Sequence, residues 1–165
     1  MAQKNHNFSY EWLEGFNEMN TADQALLQKA REATVHAYAP YSNFRVAAVA
    51  RLSNGETLAA TNQENASYPV GICAERTLLS ALSSVYPNQP VETIAISYVN
   101  GNGGFSGKPA TPCGICRQSL LEFEQRTGKP LRIIMTGTSG PVMIISSAAD
   151  LLPFGFGPDD LKGDL

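Results

Sequence analysis

Apolar and polar residues change rhythm several times along this chain, and each change marks an element. From Ala22 onward Ala25, Leu26, Ala30 and Ala33 recur at helical spacing, which predicts a helix over 22–38 with Thr21 as its cap and Pro40 beyond its end. Two β-compatible runs, VAAVARLS and ETLAATN, flank Ser53-Asn54-Gly55, and because Asn and Gly tolerate positive φ they read as a hairpin. Over 74–85, Leu78, Leu79 and Leu82 share one face of a second helix that Pro87 and Pro90 stop. VETIAISYV (91–99) reads as a buried strand, and the glycine-rich stretch 100–111 as a surface loop. From Pro112 to Arg126 the helical rhythm returns, with proline in the first turn and Gly128 as the stop. LRIIMTG and GPVMIIS supply two more strands around Ser139-Gly140, and a short helix near 148–152 leads into FGFGPDDL. At the other end of the chain, NFSYEW (7–12) carries the least regular pattern and reads as an edge strand.

That order of elements predicts an α/β fold, a three-layer α/β/α sandwich around a mixed five-stranded sheet. One domain over 1–165 suffices, with 1–20 as an N-terminal extension; there is no internal repeat and no composition shift. At 165 residues and 43% apolar, such a domain buries a core without disulfide staples.

Charge then removes whole classes of partner. The formal net charge is −3, and the Lys and Arg residues are scattered from Lys4 to Lys162 without a basic run, so no nucleic-acid groove or anionic membrane surface is expected. The apolar stretches, such as Val46 to Ala50, are far shorter than the ~20 residues that span a bilayer. The first residues, MAQKNHNFSYEW, hold one Lys and no apolar core, which predicts a cytoplasmic protein.

The chemistry lies in the cysteines. Their number is odd, and Cys113 and Cys116 form a Cys-x-x-Cys, which in a reducing compartment points to metal or redox chemistry. Cys73 and Cys113 each open a predicted helix, where free N–H groups and the positive end of the helix dipole favour thiolate over thiol. Three thiolates suit zinc, which in catalytic sites keeps a fourth position for water. Arg76 and Arg117 follow the site residues and could donate to the sulfurs from a supporting layer. Other readings stay open at this level: a structural zinc clip, a thiol redox pair, buried cysteines, or a site closed by His6 or His36. Glu75 weighs against them, because hydrolytic zinc needs an acid–base group beside its water and structural zinc does not.

The residues Cys73-Ala74-Glu75-Arg76, followed by Pro112-Cys113-Gly114-Ile115-Cys116-Arg117-Gln118, resemble the zinc site of the small homotetrameric cytidine deaminases. YAPYSNFRVAA, NQENASYPVGICAER and LLPFGFGPDDL resemble further blocks of that family, so the likeness runs over about residues 25 to 161. It implies one Zn2+ per subunit on Cys73, Cys113 and Cys116, with Glu75 as proton shuttle. It also implies ribose binding by Asn62 and Glu64, an aromatic wall at Phe44, and a backbone N–H of Ala74 meeting the pyrimidine 2-oxygen. Phe156 would reach the substrate from a neighbouring subunit of a homotetramer with shared sites. The implied reaction is hydrolytic deamination of free cytidine and deoxycytidine in pyrimidine salvage, with blasticidin S, a cytosine nucleoside antibiotic, as the alternative substrate. Ala47 stands where the family often has Gly, and the loop before Pro112 is longer than in the shortest members.

Two further readings carry less. A zinc module that only binds a partner leaves Glu75 and the Asn62/Glu64 pair without a role. Nucleic-acid editing needs a basic path for the strand, and the acidic composition supplies none.

Overall fold

A computed structural model of the chain describes residues 1–87, 89–103 and 106–162. Gly104 and Phe105 of the predicted loop, and 163–165 of the predicted domain, lie outside the described residues. Six strands, β1 (Glu11–Leu13), β2 (Phe44–Leu52), β3 (Thr57–Thr61), β4 (Val91–Asn100), β5 (Arg132–Met135) and β6 (Val142–Ile145), form one sheet in the order β1-β6-β5-β4-β2-β3. The β4–β5 pair is parallel and the others are antiparallel, so the sheet is mixed as predicted.

The predicted count of five strands is corrected to six. Glu11, Trp12 and Leu13 pair with Ile144, Met143 and Val142 along the outer edge of β6. A strand this short takes its stability from the edge it joins, not from its own periodicity, and it starts four residues later than the predicted 7–12.

Alternation along the strands builds the layers, because successive side chains point to opposite faces. Ala48, Ala50, Ile94, Ile96, Ile133 and Met135 pack beneath the helices α2 (Ala74–Val85) and α3 (Gly114–Thr127). Their neighbours Val49, Ala95 and Ile134 pack on the other face against Leu26, Leu27 and Ala30 of α1 (Thr21–Ala33). The predicted three layers result. Helix α1 is capped by Asn20 and not by Thr21, since the Asn20 side chain accepts from Asp23 N at 3.0 Å. It also ends at Ala33, before the predicted 38, because Thr34–His36 tightens into a 3-10 turn.

Asp23, in the first turn of α1, is buried and ties that helix to the sheet through Arg132 of β5 (2.8 Å) and Arg51 of β2 (3.3 Å). On the far side, Gly140 takes a left-handed φ of 83°, and both Gly137 and Gly140 lie so close to the backbone of Ser106 and Gly107 that a Cβ has no room. Thr138 N donates to Ser106 O at 2.9 Å there.

The topology places the site. Helix α2 returns the chain to the start of β4, and α3 returns it to the start of the parallel β5, so both helices run opposite to β4. Their N-termini therefore lie together at the end of the sheet where β4 finishes, which in α/β sheets is where ligands bind.

Candidate active site

Cys73 is the N-cap residue of α2 and Cys113 that of α3, and neither helix start carries a side-chain cap. The first N–H groups of both helices are thus left open to whatever occupies the space between them. Cys116 lies one turn into α3 and is buried. The sulfurs of Cys73 and Cys113 stand 3.9 Å apart, those of Cys113 and Cys116 3.5 Å, and all three lie within 4.8 Å of one another. Sulfurs about 2.3 Å from a tetrahedral zinc stand about 3.8 Å from each other, so the set fits that ion. Among the described residues it is the one group of three or more His, Cys, Asp or Glu side chains with such spacing. His6 packs against Phe154 with the rings tilted by 49°, and His36 belongs to the 3-10 turn after α1.

Electrostatics separates Cys73 from Cys116. The hydrogen bond with Cys116 pulls Cys73 down to about 6, against burial and the Glu75 charge, with smaller help from Cys113 and the Arg76 charge. Cys116 is pushed far up by the same hydrogen bond and by burial. Glu75, in the first turn of α2, is only 6% exposed, and burial pushes its carboxyl up while its own backbone N–H and Cys116 pull the other way. A buried carboxyl whose ionised form burial disfavours, beside these thiols, is suited to accept and return a proton.

One cavity of about 380 Å³ joins these groups to the expected nucleoside contacts: Phe44, Asn62, Glu64, Cys73, Ala74, Glu75 and Cys113 all line it. Ala74 is fully buried at the first turn of α2. The Phe44 ring stacks on Tyr98 with centroids 4.9 Å apart, so one face is supported and the other serves the cavity as a wall.

Not every side chain stands as the sequence suggests. Asn62 uses its amide on β2, accepting from Val46 N at 2.7 Å and donating to Phe44 O at 2.9 Å. Glu64 accepts from the Ser42 hydroxyl and from Tyr41 N at 2.9 Å, and these bonds hold its carboxyl below the usual range, Ser42 first. Arg117 does not donate to a sulfur; it donates to Pro112 O at 2.8 Å, Leu151 O at 3.2 Å and Thr111 Oγ1 at 3.3 Å. Arg76 bears on Cys73 through its charge. Phe156 is 57% exposed and is not brought to this cavity, while its carbonyl accepts from Gln118 Nε2 at 2.7 Å. Ser42 is the residue that sequence reasoning missed. It stands inside the YAPYSNFRVAA block, but a lone serine between Tyr41 and Asn43 gives no sign that a carboxylate depends on it.

Comparison with known proteins points to one family. The profile of the cytidine and deoxycytidylate deaminase zinc-binding region matches residues 20–128. A cytidine deaminase of Halalkalibacterium halodurans is 33% identical over 139 residues, covering 84% of this chain and 97% of that protein. One of Mycobacterium tuberculosis is 36% identical over 135 residues, covering 80% and 87%. The crystal structure of cytidine deaminase from Burkholderia pseudomallei superposes with a TM-score of 0.69 at 38% identity, covering 84% of this chain and all of that one.

Proposed function

The chain belongs to the cytidine deaminase family, and from that membership we propose that it hydrolyses free cytidine and deoxycytidine to uridine and deoxyuridine, releasing ammonia. The observation that carries this reading is one cavity lined by Cys73, Cys113, the buried Glu75 and the Asn62/Glu64 pair, with the third thiol, Cys116, buried beside the other two. Among the described residues, no helix is long and apolar enough to cross a membrane. The relatives named above are cytidine deaminases, which leaves blasticidin S without support as the substrate.

Cys73, Cys113 and Cys116 would hold one zinc per subunit, with Arg76 favouring the Cys73 thiolate by its charge and Arg117 holding the segment before Cys113. Zinc bound there supplies a Lewis-acid charge that makes water acidic enough to lose a proton near neutral pH. Glu75 takes the proton that water gives up and passes it to ring N3, which makes C4 electrophilic. The water oxygen then bonds to C4. Glu75 takes that oxygen's second proton and gives it to the amino nitrogen, the bond from C4 to that nitrogen breaks, and ammonia leaves while the oxygen becomes the C4 carbonyl and the first proton stays on N3. Phe44 lies along the base, the N–H of Ala74 meets its 2-oxygen, and Asn62 and Glu64 take the ribose hydroxyls. To do so Asn62 and Glu64 exchange part of their bonds with Phe44, Val46 and Ser42 for the sugar, so these donors and acceptors favour a substrate whose hydroxyls can satisfy them. The ionised Glu64 repels a phosphate on the sugar.

Phe156, exposed on its own subunit, would cover the base bound by a neighbour in a cytoplasmic homotetramer of single-domain chains. The test is an absorbance assay against cytidine, deoxycytidine, their monophosphates and blasticidin S, on a sample whose zinc content and sedimentation are measured together. Turnover of both nucleosides by a zinc-loaded tetramer is expected. Preference for a monophosphate or for blasticidin S, or activity in a sedimenting monomer, would overturn the corresponding part.

A further inference from the structure

Glu124 has no part in the reaction above, yet its carboxylate sits at the hub of a small network. Its Oε2 accepts from Leu131 N and from Ala148 N, each at 2.7 Å. Its Oε1 accepts from Ser147 Oγ at 2.7 Å and Ala149 N at 3.4 Å. Both oxygens are therefore committed to the start of the 3-10 turn Ala148–Leu151, whose own cap residue is Ser147. Charge-assisted bonds of this kind are shorter and stronger than neutral ones, and an amide in place of the carboxylate can satisfy only part of the set.

The far end of the same turn reaches α3. Leu151 O accepts from Arg117 Nη1, and the same guanidinium holds Pro112 O through Nε and Thr111 Oγ1 through Nη2. Pro112 is bonded directly to Cys113. Cys116 is embedded in α3. Cys73 and Cys113 are both helix caps, but Ile72 before Cys73 is bridged to Gln63 by both of its backbone groups, whereas Cys113 is exposed and Pro112 before it is held through Arg117. The Cys113 sulfur position depends on what restrains the chain before it.

We infer that Glu124 is a positioning residue for the three-thiolate centre, acting through Ser147–Leu151 and Arg117 to hold Thr111-Pro112 and with them the Cys113 sulfur. This rests on the metal reading of the preceding section. In that role Arg117 acts as a brace, and the thiolates gain from it a fixed spacing more than a neutralising charge.

The experiment uses the whole protein in zinc and cobalt forms, comparing wild type with Glu124→Gln, Arg117→Lys and Glu122→Gln. Zinc release to a chromophoric chelator, the visible spectrum of the cobalt form and the urea midpoint are read on each. Residues that support metal ligands typically change affinity ten- to a hundred-fold when altered. Glu124→Gln is expected to release zinc at least about ten-fold faster and to shift the cobalt bands while still folded. Arg117→Lys follows it, and Glu122→Gln, on the same helix but outside the network, matches wild type. A folded Glu124→Gln protein with wild-type zinc release and cobalt spectrum, whatever its urea midpoint, overturns the inference and leaves Glu124 as a local cap. Should Glu124→Gln fail to fold, Ser147→Ala removes one bond of the hub: a several-fold faster release supports the relay, and an unchanged one overturns it. Absence of thiolate-to-cobalt bands in wild type would instead remove the metal centre, and the relay with it.

Discussion

Asp23 and Glu75 invite comparison. Each is an acid in the first turn of a long helix, each is buried, at 2% and 6% exposed, and their carboxyls are displaced in opposite directions. Burial alone would raise Asp23, but the hydrogen bond and charge of Arg132, with Asn20 and the charge of Arg51, win and hold it below the usual range. Glu75 has burial without a cation paired to it, so it is raised. The difference separates scaffold from site. Around the buried charge of Asp23 the fold gathers cations, and around Glu75, the proposed proton carrier, the described residues supply hydrogen bonds but no cation.

The contrast breaks most sharply at Glu75. Glu75→Gln is expected to lower turnover by about 10²–10⁴-fold or more, because the amide cannot carry a proton, while zinc content stays at the wild-type level. Its melting temperature without metal should not fall, since the change removes a carboxyl whose ionisation burial already opposes. Metal analysis, kinetics and calorimetry on one preparation check all three statements. Asp23→Asn should do the reverse, costing about 3 kcal/mol of stability by urea unfolding while turnover per folded molecule is unchanged. The figure sits at the low end for a broken buried pair because Arg51 and Arg132 keep 23% and 27% of their side-chain surface exposed.

Acid sharpens the same comparison. Asp23 has a lowered carboxyl in the folded state, so its contribution is fully present above its unfolded value of about 3.9 and is lost as pH falls through the folded value. Unfolding curves of wild type and Asp23→Asn should therefore run parallel at neutral pH and converge below about pH 4. A constant gap down to pH 2 would show that Asp23 acts through packing and not through charge. The smallest effect is expected from Asn20→Ala, which removes the cap of α1 and the Asn20 contact to Asp23 at 2.8 Å. About 1 kcal/mol should be lost, with kinetics unaltered.

The two acids were also unequally legible. Glu75 stands between cysteines that each start a helix, and a zinc-ligand pattern with an acid beside it narrows the chemistry before any coordinates exist. Asp23 reads only as a helix-start residue, since its partners Arg51 and Arg132 are remote in sequence and meet it through the sheet order. The same limit explains Arg117, whose donors could be counted from sequence but whose acceptors on Leu151 depend on where a later turn packs. Local signals served well where geometry is local: Gly128 ends α3 with φ 67°, and Gly55 turns the β2–β3 hairpin with φ 86°. They set the bounds less well where a neighbour decides: the expected edge strand runs over Glu11–Leu13 and not 7–12 because β6 fixes it, and α1 ends early.

The close packing of Ser106 and Gly107 on Gly137 and Gly140 bears on how this chain can change in length. That contact fastens the loop after β4 at a point between the sheet and the thiols. Upstream of Ser106 a residue can be added without altering the path to Cys113. Downstream, 108–112 must cover a set distance between the fastened Gly107 and a sulfur that has to meet two others. Insertions and deletions should accordingly gather on the first side of the clasp and be absent from the second, so that one loop behaves as two, a permissive half and a measured one.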